Sequence, residues 1–200
     1  MAVHVVSRRR SAVSVENAHP GAVVVDVTSR GPEPWVRLSP FYPHGGIPVP
    51  FTPHVTGASV EGIWQALKVF READVDLAKL RVTGMTGLKR TVRRFGEVLG
   101  HRAGAHGAEL LPYEEARRRI YLPVYRWVLE NRVVDEVAAL RGLATGRDVV
   151  LLDYTTNGDI ADLSSPLSHA ALLRHHLCGT WPAESATDRG AGSEQETVAG

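Results

Sequence analysis

Residues 38–59, LSPFYPHGGIPVPFTPHVTGAS, carry five prolines and three glycines. Proline fixes φ and removes an amide donor, so neither a helix nor a central strand can run through this stretch. The segment is also too apolar and aromatic to serve as a flexible linker. An ordered, proline-rich loop is expected, and ordered loops held by a rigid scaffold often carry sites. The chain must therefore build its core from the elements on either side.

Before the loop, GAVVVDVTS (21–29) is a β-branched run ended by RGPEP and reads as a strand. After it, SVEGIWQALK opens a helix. Ser59 is a good N-cap, and Glu61 in the first turn suits the helix dipole. Val60, Ile63, Trp64, Leu67 and Phe70 recur at helical spacing and make a core face. Glu61, Gln65, Lys68 and Glu72 fall on one stripe, within about 60° of each other around the axis. Such i, i+4 polar pairs are common on wet faces. Here Trp64 and the aromatic loop crowd the stripe, so a partly desolvated carboxylate with a raised pKa is the functional reading.

Further along, 86–99 (TGLKRTVRRFGEVL) is expected to be a helix. A long helical stretch begins at Pro112, is kinked or broken at Pro123 and ends near Gly142 and Gly146. RDVVLLDYTTNGD then gives a buried strand (149–154) and a turn. SPLSHAALLRHHL (165–177) closes the fold as a helix with Ser165 as cap and Pro166 in the first position. Helices outnumber strands, so the expected class is α+β, one mostly helical domain with a small β-sheet. Residues 1–20 read as a lead-in, 21–178 as the globular domain, and 179–200 as a loose tail rich in Gly, Ala, Ser, Thr and Glu. Cys178, the single cysteine, is expected to be a small buried apolar residue.

The net charge of +1 provides no global field for nucleic acid or membrane. The N-terminus is a poor signal peptide and no apolar run is long enough to span a bilayer, so a soluble cytoplasmic protein without a membrane partner is expected. Between Lys79 and Arg102 seven basic residues face a single acid, Glu97. They form either a surface balanced elsewhere or, with the TGMTG start, a phosphate site built from Lys89, Arg90 and Arg93. DYTTNGDIADLS places Asp153, Asn157, Asp159 and Asp162 at a strand end. It fails as a calcium loop, because Ser164 stands where a bidentate Glu is required. Nine histidines, among them His101, His106, His169, His175 and His176, show no ligand quartet, so no metal is expected. Nucleotide-binding and hydrolase signatures such as Walker A, GxGxxG and GxSxG are absent, and no cofactor is expected.

LSPFYP followed by SVEGIWQALK resembles the signature of the NADAR superfamily, in which an aromatic proline loop precedes S-V-E-H, an aromatic, Q-A and a Lys. The later order, through YLPVYRWVLENRVVDEVAALRGLATG to a strand ending in an acid, is similar too, and coverage runs over about residues 35–177. Gly62 stands at the family His. PLSHAALL replaces a Trp-Gly motif, and Tyr113 is the nearest match to an expected tryptophan. The resemblance implies an N-glycosidase cleaving a ribose C1–nitrogen bond in an ADP-ribosyl or phosphoribosyl compound. Its partner would be a small-molecule nucleotide or an ADP-ribosylated nucleobase, free or in DNA or RNA. By position Glu61, Gln65, Lys68, Phe41 and Asp153 match motif residues. The carboxylate that stabilises an oxocarbenium-like state would be Glu61 or Asp153. Lys68 would hold a phosphate or attack C1. Phe41, Tyr42 or Trp64 would stack on the base. Gln65, Asn157, Asp159 and His169 complete the substrate-binding candidates. A non-catalytic ADP-ribose- or nucleotide-binding module is the alternative, and a nucleic-acid-binding protein a weaker one.

Overall fold

The apolar run after Arg147 becomes the centre of a parallel sheet. A computed structural model describes residues 2–184. In it β8 (Val149–Asp153) lies between β1 (Val3–Ser7) and β2 (Val23–Asp26), parallel to both. Val3 and Val23 both register with Val149. Val149, Val150 and Leu151 are fully buried, as a strand covered on both faces requires. Residues expected to be a lead-in thus supply an edge strand and a capped helix, α1 (Ala12–Ala18, N-cap Ser11). Pairing across so much of the chain leaves no local sequence signal.

Helix α2 (Val60–Leu67) starts as its sequence implies, with Ser59 Oγ accepting the amide of Gly62 at 3.0 Å. Every residue of it is buried. The helix stops one turn early. Lys68–Phe70 form β5, which pairs antiparallel with β6 (Val98–Arg102), and β7 (Leu110–Leu111) extends that sheet. Phe70 therefore does not continue the helical core face, nor Glu72 the polar stripe, and Glu72 is exposed. The proline-rich segment is irregular apart from the two-residue hairpin β3 (Ile47–Pro48) and β4 (Thr56–Gly57).

The helix expected over 86–99 is corrected to a four-residue turn of helix, α3 (Val92–Phe95). Gly87 and Gly96 adopt positive φ (73° and 76°) on either side of it, and Gly96 is its C-cap. Leu88 and Arg90 are buried by a loop instead of by a helix face.

The long helical stretch is α4 (Tyr113–Ala116), a π-helical turn over Arg117–Tyr121, α5 (Leu122–Asn131) and, after a break, α6 (Val134–Gly146). Pro123 lies in the first turn of α5 but inside a continuous helical run, and the irregularity expected there takes the form of the π-helical turn that directly precedes it. The closing helix, α7 (His169–Cys178), starts later than expected, capped by Ser168 and not Ser165. Cys178 is exposed, a correction that follows from its place at the C-terminal end of α7. Trp181 packs back on the core and Arg118 Nη1 donates to the carbonyl of Ala183 at 3.0 Å. The rest of the expected tail, 185–200, lies outside the described residues. The architecture is α+β, one domain with small sheets, and among the described residues no helix is long and apolar enough to cross a membrane.

Candidate active site

A cleft of about 930 Å³ opens where the start of the proline loop, α2, the 85–91 loop, the π-helical turn and the end of β8 converge. Its buried end carries Glu61, Trp64, Gln65, Lys68, Tyr121, Asp153 and His169. Its mouth carries Arg30, Lys89 and Tyr154, all exposed.

Glu61 and Lys68 reach this cleft from different elements. Glu61 is in the first turn of α2, where its amide donates to Pro40 O at 2.9 Å and so ties the helix to the proline loop. Lys68 is the C-cap and the first residue of β5. Each is only 8% exposed. Gln65 Nε2 donates to Glu61 Oε1 at 2.9 Å, while Gln65 Oε1 accepts the Arg90 amide at 3.0 Å. The other Glu61 oxygen and the Lys68 ammonium form no hydrogen bond among the described residues. Burial pushes the Glu61 carboxyl up, against the pull of Gln65, Lys68 and Lys89. Burial pulls the Lys68 ammonium down, against Glu61 and helped by Arg90 and Lys89. Burial thus works against both charges, raising the carboxyl and lowering the ammonium, a perturbation of the kind found where side chains handle protons.

Asp153 and His169 form the floor. Asp153 Oδ2 accepts from Ser168 Oγ (2.7 Å) and from the Ala170 amide (3.3 Å), and lies 3.0 Å from His169 Nδ1. Asp153 Oδ1 accepts the Tyr154 amide at 2.7 Å. His169 Nε2 donates to Val27 O at 2.9 Å. Burial raises the Asp153 carboxyl, but the imidazole of His169, the Ser168 hydroxyl and the Ala170 amide outweigh it and hold the carboxyl low. Burial lowers His169, and Asp153 outweighs that and raises it. The two residues are a buried ion pair that bolts α7 to β2 and β8.

Trp64 reaches the cleft but is held by aromatic neighbours. It stacks on the buried His101 ring at 3.7 Å between centroids and meets Tyr113 and Tyr121 edge-on at 5.5 Å each. Phe41 lines the cleft with the Lys89 ammonium 5.6 Å from its ring centre, so it is the aromatic better placed to stack on a base. Among the described residues no group of three His, Cys, Asp or Glu side chains is arranged to hold a metal.

Several expected site residues do other work. Tyr42 lies outside the cleft, its ring 4.8 Å from that of His44. Arg93 is exposed on α3, away from it. Asn157 donates to Asp162 O and Ser165 O and accepts the Asp159 amide; Asp159 accepts the Ala161 amide. Both are turn organisers, because Asn and Asp side chains reach backbone groups two residues on. Arg90 touches the cleft, but its guanidinium donates to the carbonyls of Gln65, Lys68 and Asp74 (3.3, 2.6 and 2.7 Å) and packs over Phe70. It is a staple between α2, β5 and the following turn: its terminal nitrogens are taken by carbonyls, and Nε, which has no partner, is sealed from solvent and from a phosphate.

The lining residues that were not expected at the site include Arg117 and Tyr121. Arg117 donates to Ile160 O, Asp162 O and Ser165 O and holds the 160–165 loop beside the cleft. Both sit in the π-helical turn, and a run such as RRRIY reads locally as an ordinary wet helix face.

No curated protein and no solved structure matches this chain significantly. Residues 7–173 match a family model described as a family of unknown function (DUF6939), from β1 to α7 and so across the whole cleft, and the chain belongs to that family.

Proposed function

We propose that the cleft hydrolyses the N-glycosidic bond of an ADP-ribosyl or phosphoribosyl compound, with an ADP-ribosylated guanine as the model substrate. The reading rests on one observation: Glu61 and Lys68 share a single cleft, each buried and each with a polar group left free for a ligand. The motif resemblance around these residues supports the same chemistry. Glu61, whose pKa burial raises, donates its proton to the departing base nitrogen as the C1–N bond breaks. Its carboxylate then takes a proton from the water that adds to C1, so Glu61 ends as it began and the products are free base and sugar. Asp153 is committed to His169 and to three hydrogen bonds, which leaves Glu61 as the carboxyl for chemistry. Lys68 and Lys89 supply cations for phosphate oxygens, and Phe41 supplies a face for the base. The reading takes the cytoplasm as the compartment that supplies nucleotide substrates, and it extends to a modified base within DNA or RNA.

Single-turnover release of base from ADP-ribosylated guanosine tests this reading. Release by the wild type and its loss in Glu61→Gln support it. Borohydride trapping of a Lys68 adduct would replace water by the lysine as the attacking group.

A binding module without catalysis is favoured by Gly62, which stands where the resembling family has His. A Cβ there would lie 2.8 Å from Lys79 O and 2.9 Å from Ser59 Oγ, so this backbone has no room for the missing imidazole. ADP-ribose raising the melting temperature without any product would identify that reading.

A further inference from the structure

The π-helical turn sets the side chains at the buried end of the cleft. In an α-helix residues four apart drift about 40° round the axis per step, and the wider π turn drifts the other way. Four residues from Tyr113 to Arg117 run through α4, and the next four, to Tyr121, run through the π turn. The drifts oppose, and Tyr113, Arg117 and Tyr121 all line the cleft. Both tyrosine rings meet Trp64 at 5.5 Å.

The two buried tyrosines of this region differ in what their hydroxyls do. Tyr125, one turn further on, is fully buried and donates to Leu38 O at 2.8 Å. Tyr121 is 9% exposed, lines the cleft, and its hydroxyl has no hydrogen-bond partner among the described residues. Unlike the ring nitrogens of His101, which are sealed from solvent without a partner, the Tyr121 hydroxyl is open to the cleft, a donor that no protein group takes and a ligand atom can. Burial and the nearby Glu61 keep the phenol protonated and hence a donor.

On the reading that this cleft holds a sugar-phosphate ligand, we infer that the Tyr121 hydroxyl is a ligand-contacting donor, hydrogen-bonding the ribose at the buried end of the cleft and setting its C1 against Glu61. The π-helical turn is the device that delivers it. Without that turn the helix would carry Tyr121 round away from Trp64.

The test is calorimetric titration of the full-length protein with ADP-ribose and with ribose 5-phosphate, for wild type, Tyr121→Phe and Tyr125→Phe, with melting temperatures measured in parallel. Tyr121→Phe is expected to weaken binding about tenfold and to leave the melting temperature within about 1 °C. Tyr125→Phe is expected to bind as the wild type does and to melt about 2–4 °C lower. Wild-type affinity in Tyr121→Phe overturns the inference while leaving the cleft as the ligand site. A fall in its melting temperature equal to that of Tyr125→Phe, with no change in affinity, also overturns it and assigns the hydroxyl to the fold. Absence of wild-type binding to both probes overturns the ligand reading itself.

Discussion

His169 Nδ1 lies 3.0 Å from Asp153 Oδ2, and both residues are buried below the cleft. The pair has two limbs in pH. Asp153 has a depressed pKa in the fold, so its contribution is present above the ordinary aspartate value and is lost as pH falls through the depressed one. His169 has a raised pKa, so its contribution is complete below the ordinary histidine value and is lost as pH rises through the raised one. The pair is therefore fully stabilising from roughly pH 4 to 6.5. His169→Gln keeps a donor for Val27 O but leaves Asp153 buried without its cation. It should cost about 3 kcal/mol near pH 6 and less at alkaline pH. Melting temperature against pH checks this; wild-type and variant curves running parallel above pH 6.5 would contradict it.

Glu61 and Lys68 should behave as function-bearing, stability-costing residues. Glu61 binds its proton more tightly folded than unfolded, so it makes the protein less stable as pH rises through that range. Lys68 binds its proton less tightly when folded, so it makes the protein less stable as pH falls. Glu61→Gln is expected to melt higher than wild type at pH 8, and Lys68→Met higher at pH 6, each by about 2–4 °C. Differential scanning calorimetry at the two pH values decides; lower melting for both would mean that the pair holds the fold together.

Arg90 separates a phosphate ligand from a staple. Its guanidinium serves three backbone carbonyls. Arg90→Lys keeps the charge but loses the fork, and it should destabilise by about 2–4 kcal/mol. Lys89→Ala, by contrast, should leave stability within about 0.5 kcal/mol and weaken ADP-ribose binding. Urea unfolding and titration of both variants check this. Full stability in Arg90→Lys with loss of ADP-ribose binding would return Arg90 to the site.

What was legible in the sequence is instructive at particular residues. Ser59, Glu61 and the 3.6-residue spacing marked α2, and Val149–Asp153 read as a buried strand, because cap chemistry and periodicity are local signals. The end of α2 was hidden. Leu67 and Phe70 keep the helical spacing, while Lys68–Phe70 also suit a strand, and pairing with β6 decides between the two. The basic stretch from Thr86 looked helical until Gly87 and Gly96 took positive φ. The strand β1 depends on a partner at the far end of the chain. Glu61, Gln65 and Lys68 could be grouped from spacing alone, because the helix carries them to its last turn. The Tyr121 hydroxyl depends on a π turn that no spacing announced.

Gly62 is fixed by packing of α2 on the 77–81 turn. A Cβ would lie 2.8 Å from the Lys79 carbonyl, a backbone atom with no room to give. Gly62→Ala is expected to cost about 1–3 kcal/mol even though alanine is the better helix former. Gly62→His should fail to fold stably. Thermal unfolding of Gly62→Ala is the check, and a melting temperature above wild type would show that the helix can shift.

The central claim is that Glu61 carries the proton for N-glycoside cleavage in this cleft. Single-turnover base release from ADP-ribosylated guanosine, measured for wild type and Glu61→Gln at equal occupancy, tests it most directly. The account predicts release by the wild type and a rate at least about 100-fold lower in Glu61→Gln. Equal rates, or no release by either protein despite bound substrate, would contradict it.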